Sequence, residues 1–122
     1  EKVRVAEPVP ISQMTGAVSW QYLKEPERSR LARNQTKALS QFGYRCAAHE
    51  YRLLASGHGH FVVYNKLMPW DHLAGVLIHA EAGGYAARID GDPYLPSHVD
   101  GGLLVAPDKQ SWDELRLELW AE

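Results

Sequence analysis

The stretch from His60 to Ile89 constrains this chain more than any other. His60-Phe61-Val62-Val63-Tyr64 is β-branched and aromatic, the composition of a buried strand. After Pro69 comes the clearest helix of the sequence, Asp71 to Ala82, which the pair Gly83-Gly84 stops. Tyr85 to Ile89 then reads as another strand. A helix set between two strands is the unit of a layered α/β fold.

The rest of the chain keeps that alternation. Pro8 and Pro10 make the N-terminal stretch an extended arm rather than a central strand, followed by a turn and a strand at Thr15 to Trp20. Glu25-Pro26-Glu27 opens a helix, since proline is tolerated in the first turn and acidic groups suit the positive end of the dipole. Its apolar stripe, Leu31, Ala32, Ala38 and Leu39, carries it to Phe42, and Gly43 ends it. Tyr44 to Ala47 is expected to form a short strand, and Ala48 to Ser56 a helix closed by Gly57. Asp90-Gly91-Asp92-Pro93 is a turn, Gly102 to Ala106 a short apolar strand, and Ser111 to Trp120 an amphipathic helix with Trp112, Leu115 and Leu119 inward. The expected fold is therefore α/β, a layered domain with a mixed, partly parallel sheet of about five strands flanked by helices. The 122 residues suit one domain, 1–122, and hold no repeat, low-complexity tract or linker.

A formal net charge of -2 offers no long-range attraction to nucleic acid or to an anionic membrane. Arg28, Arg30 and Arg33 lie on one helix and read as a solvated face. No apolar run reaches the length of a membrane span, and no signal peptide opens the sequence. Cys46 is the only cysteine, which excludes an intrachain disulfide and fits a reducing, cytoplasmic setting. It is expected to be a buried thiol. The six histidines show no His-Glu-x-x-His or Cys/His spacing, so they read as solvent or packing residues rather than transition-metal ligands. The sequence opens at Glu1 within the strand-like Lys2-Val3-Arg4-Val5, which points to a piece of something larger.

Asp71 has two readings from chemistry alone. It is a good N-cap, because its carboxylate can accept from a free backbone N–H in the first helical turn. A hard cation also wants carboxylate oxygen, and a helix N-terminus at a sheet edge holds that oxygen rigidly. Ala74 and Gly75 let another element approach this helix closely.

Trp70-Asp71-His72-Leu73-Ala74-Gly75-Val76-Leu77-Ile78, followed by Glu81-Ala82-Gly83-Gly84, resembles the C-terminal signature of the inositol monophosphatase family. The order of strands and helices agrees as well. The resemblance covers essentially the whole chain, but only the C-terminal half of a complete member. It implies a magnesium-dependent phosphatase acting on an inositol, sugar or nucleotide phosphate. In that reading Asp71 is a metal ligand for Mg2+, with Trp70 and Gly75 supporting the site. The other metal ligands of the family sit in an N-terminal half, on a Glu-Glu segment and an Asp-Pro-Ile/Leu-Asp-Gly-Thr segment, and neither segment occurs here. One aspartate cannot build the octahedral oxygen shell that magnesium prefers. The chain alone is therefore expected to be inactive. Its implied partners are the missing N-terminal half, a phosphorylated small molecule and, since members are commonly dimers, a second copy.

The sequence also departs from the family pattern. Where members carry Gly-Ser-Ala-Ala or Gly-Thr-Ala-Ala, this chain has Arg45-Cys46-Ala47-Ala48. Ala47 keeps a backbone N–H for the substrate, and Arg45 joins it there. Inositol-specific members place a glutamate against the inositol hydroxyls at the position held here by Tyr64, and His60 aligns with another aspartate. Arg45, His60 and Tyr64 together imply a bulkier site, better suited to another polyol, sugar or nucleotide phosphate than to myo-inositol phosphate. The same departures motivate an alternative from a different class, a non-catalytic binding or assembly module that retains the fold.

Overall fold

The computed structural model describes residues 3–21, 23–43, 46–65, 69–95, 97 and 102–122, and residues 69–71 by their backbone only. In chain order its elements are β1 (Thr15–Val18), α1 (Glu27–Asn34), β2 (Ser40–Gln41), α2 (Ala47–Ala55), β3 (Phe61–Tyr64), α3 (Pro69–Glu81), β4 (Tyr85–Arg88), β5 (Leu103–Ala106) and α4 (Lys109–Leu119). The strands form one mixed sheet in the order β2-β1-β3-β5-β4. β1 runs parallel to β2 and β3, whereas β5 runs antiparallel to β3 and β4.

β3 and β5 lie inside the sheet, and all of their residues are buried, which is why both read as unbroken apolar runs. Alternation along β3 divides the core between the two faces. Phe61 and Val63 pack with Leu31, Trp112, Leu115 and Leu119 under α1 and α4. Val62 and Tyr64 pack with Tyr51 and Leu54 under α2. Asp108 caps α4 by accepting from Ser111 N at 2.8 Å. The Trp112 indole N–H then donates to Leu104 O at 2.9 Å and ties that helix to β5.

Three sequence expectations are corrected. The helix read from Glu25 to Phe42 stops at Asn34 and tightens into a 3-10 turn at Gln35–Lys37. The buried Asn34 amide donates to Leu119 O at 2.9 Å and Ala121 O at 2.6 Å, so tertiary partners take over where helical ones would continue. Beyond the turn, Leu39 N bonds Met14 O at 2.9 Å and the chain becomes the edge strand β2, leaving Leu39 68% exposed. The strand read from Tyr44 to Ala47 does not reach Ala47, which is helical. Residues 44 and 45 lie outside the described ones, Cys46 is the extended N-cap of α2, and Ala47 begins that helix. Cys46 is exposed, not buried, because a capping position stands at the end of its helix rather than on its core face.

α3 carries its polar residues inward. His72 and His79 are 3% and 1% exposed, while Leu73, Leu77 and Ile78 are 48%, 63% and 54% exposed. Nε2 of His79 donates to Ala106 O at 2.8 Å, joining the last turn of α3 to the end of β5. Its ring lies against the backbone at Gly84, where any Cβ would clash with it. Gly83 turns the chain with φ +97, in the left-handed region that glycine tolerates.

Burial pushes the His79 pKa below its ordinary 6.5, so the folded ring stays neutral where an unfolded one would take a proton. Stability from this group is complete above about pH 6.5 and is lost as the pH falls below that value, because the unfolded chain then binds more protons. Denaturant titrations between pH 7.5 and 5.5 should show this loss, and His79→Gln, which keeps an N–H for Ala106, should flatten it. Gly84→Ala should cost about 1–3 kcal/mol in the same assay by forcing the imidazole out of its seat.

Candidate functional site

The carboxyl end of β3 gathers the residues that carry chemistry. α2 leads back into β3 through the tight passage at Ser56 to His60, so its first turns lie beside the far end of that strand. α3 begins just beyond the same end. Two helix N-termini thus converge there, each with backbone N–H groups and positive dipole character that favour an anion. Ligands in open α/β sheets bind beyond the carboxyl ends of strands for this reason.

Four side chains interlock at this end. The Tyr64 hydroxyl donates to Glu50 Oε1 at 3.0 Å, and Tyr51 OH lies 2.9 Å from Nδ1 of His72. The Tyr64 and His72 rings meet edge to face with centroids 4.6 Å apart, and Tyr51 lies 5.3 Å from Tyr64. All four side chains are buried. Burial first, then the neighbouring Tyr94 and Glu50, raises the Tyr51 pKa above the ordinary phenol value. Burial followed by the Glu50 charge and Tyr51 does the same for Tyr64. Both phenols therefore keep their protons at neutral pH, and the Tyr64 hydroxyl is a donor to Glu50.

The backbone of Asp71 lies in the first turn of α3, while its side chain and that of Trp70 lie outside the described atoms, as does Arg45. Ala47 opens α2 and Tyr64 closes β3, so these two are brought to the same end of the sheet. His60 is not. It precedes the first residue of β3, about 13 Å from Tyr64 at the usual rise per residue, and its Nδ1 accepts from Thr15 N at 3.0 Å. Gly75 sits under the Tyr51 ring, which occupies the space a Cβ would need. Among the described residues no group of three or more His, Cys, Asp or Glu is placed to hold a metal ion.

Glu50 and Tyr51 carry no motif and sequence reasoning passed over them, while His72, inside the signature run, was read only as a packing or solvent residue. A glutamate in an exposed-looking helix is rarely buried, so only the spacing of Glu50 with Leu54 on one helical face hinted at its place.

Residues 1–122 match the inositol monophosphatase family over their whole length, and the chain belongs to that family of phosphatases. Among the curated proteins none matches it. Among solved structures it is similar to inositol monophosphatase II of Staphylococcus aureus, with a TM-score of 0.84 at 21% identity over 98% of this chain and 45% of that one. The inositol monophosphatase of Zymomonas mobilis gives 0.82 at 21% identity, over 95% of this chain and 46% of that one. The IMPase of Thermotoga maritima gives 0.77 at 20% identity, over 98% and 45%. At these identities the likeness is one of fold. The chain spans just under half the length of these relatives.

Removing the Tyr64 hydroxyl takes a donor from a buried carboxylate. Tyr64→Phe should therefore lower unfolding free energy by about 1–3 kcal/mol, read from urea denaturation at pH 7.

Proposed function

We propose that the chain is the C-terminal domain, residues 1–122, of a cytoplasmic magnesium-dependent hydrolase of phosphate monoesters, inactive until an N-terminal half completes its site. The observation that carries this reading is the Trp70-Asp71 signature at the start of α3, at the sheet end where two helix N-termini meet, in a chain that matches the family from end to end.

The donor chemistry fits a share in a magnesium site. Asp71 supplies one hard carboxylate oxygen from a rigid helical turn, and the remaining ligands come from outside these residues. Magnesium, when bound, polarises phosphoryl oxygens and lowers the pKa of a bound water. This chain's own task is to bind and orient. The N–H groups opening α2 at Ala47 and α3 at Asp71 receive phosphate charge, with Arg45 as a further cation. The staphylococcal enzyme has been crystallised with inositol monophosphate and with 2'AMP, which supports a phosphate monoester of a polyol, sugar or nucleoside. Tyr64, with its hydroxyl engaged by Glu50, favours the latter two over myo-inositol phosphate.

The outward face of α3 supports the missing half. A helix apolar on its outer side belongs inside a larger protein. Leu77 and Ile78 line a groove of about 1260 Å³ between α2 and α3. Val3 lines the same groove. A second reading, a non-catalytic module, is favoured by Cys46, which stands at the N-cap of α2 without a side-chain cap bond.

Calorimetry on the 122 residues alone should detect no tight Mg2+ binding. In the full natural polypeptide, Asp71→Asn should lower magnesium-dependent hydrolysis across a panel of phosphate monoesters by roughly 100-fold or more. Tight binding by the isolated chain, or unchanged hydrolysis in the variant, would overturn the proposal.

A further inference from the structure

Among the contacts between α2 and α3, one joins a ring directly to the opposite backbone. The Tyr51 ring lies flat on the backbone at Gly75, in the space that a Cβ would otherwise fill. Its hydroxyl reaches Nδ1 of His72 at 2.9 Å, one turn nearer the start of α3. The same imidazole is walled on its other flank by the Tyr64 ring, with centroids 4.6 Å apart. Tyr51 is 2% exposed and His72 3%, so water does not compete for this hydrogen bond.

The ring on Gly75 sets how close α3 comes to α2 and holds its middle turn facing that helix, and the His79 bond to Ala106 holds its last turn. The hydroxyl bond to His72 adds the constraint on the first turn. Rotation matters at the next residue. Turning a helix by about 20° moves a Cα by about 0.8 Å, given its radius, and the end of a side chain by more. Magnesium accepts its oxygens within a narrow range of distances, so such a turn would take the neighbouring carboxylate off its ligand position.

We propose that Tyr51 is a positioning residue, whose hydrogen bond to His72 fixes the rotation of the first turn of α3 and thereby the metal-ligand setting of Asp71. The inference rests on the reading of Asp71 as a metal ligand. Tyr51 acts through His72 and touches neither metal nor substrate. Tyr64 completes the device by closing the space into which the imidazole would otherwise swing.

Tyr51→Phe tests this cleanly, because the ring stays on Gly75 and only the hydroxyl is lost. In the full natural polypeptide, the Mg2+ concentration giving half-maximal hydrolysis of a phosphate monoester should rise about tenfold. The rate at saturating Mg2+ should be largely kept, and the thermal midpoint should drop by no more than a few degrees. His72→Leu should show the same magnesium shift, and the double variant should be no worse than either single one. His72→Asn, which returns a hydrogen-bonding group near the place of Nδ1, should restore the unsubstituted value. A lower thermal midpoint with unchanged magnesium dependence in Tyr51→Phe would make the contact purely structural and overturn the proposal. Should the unsubstituted polypeptide show no magnesium-dependent hydrolysis, the phosphatase reading falls and the positioning role with it. Loss of activity in Asp71→Asn beside an unchanged Tyr51→Phe sinks the positioning role alone.

Discussion

Tyr51 resting on Gly75 is the contact on which the site-bearing face depends. A large ring fills the place where a side chain is missing, so the Tyr51 ring of α2 packs directly on the backbone of α3. Everything at the carboxyl end of β3 follows from that packing. Glu50 is held within reach of Tyr64, His72 is enclosed between two phenols, and the N-termini of both helices open at one place. Were Gly75 any other residue, the ring would be displaced and the hydrogen bond to His72 would go with it. Glycine in the middle of a helix costs about 1 kcal/mol relative to alanine, and here close packing offsets that cost.

α3 also explains why this sheet looks finished on one side only. Under α1 and α4 the core is closed by apolar residues, and the outer surfaces of those helices carry charge, as in the Lys37–Glu118 and Lys109–Asp113 pairs. On α3 the order is reversed, with histidines inside and leucines outside. Burying His72 and His79 is tolerable because each ring has a hydrogen-bond partner, Tyr51 and Ala106. Exposing Leu73, Leu77 and Ile78 has no such compensation among the described residues. The chain spans just under half the length of the relatives it matches, and an exposed apolar face of this kind marks an interaction surface.

The layered α/β fold was legible from periodicity and punctuation. The strand at Phe61 to Tyr64, the helix stopped at Gly83, the turn at Gly91 and the capped helix after Asp108 all stand where residue types put them. These are local properties: β-branched runs favour strands, glycine favours positive φ, and an aspartate caps a helix. The helix read through to Phe42 failed because its end is decided by Leu119 and Ala121, far along the chain, accepting from Asn34. Cys46 was misplaced for a related reason, since propensity treats a thiol as apolar and cannot see that the position is a helix cap.

The candidate site divides in the same way. Trp70-Asp71 and Glu81-Ala82-Gly83-Gly84 declare the family by themselves, because a run of linked residues survives in sequence even where identity to solved relatives is near 21%. The partners of those residues do not. Glu50, Tyr51, Tyr64 and His72 come from three elements and meet only when two helices close over one strand, and His60, near Tyr64 in sequence, ends at the opposite end of that strand. Sequence by itself determined the family and most of the elements, since these depend on neighbours along the chain. Tertiary structure alone decided which side chains surround α3 and which face is left uncovered, because those depend on how far a ring can reach across a gap that a glycine leaves open.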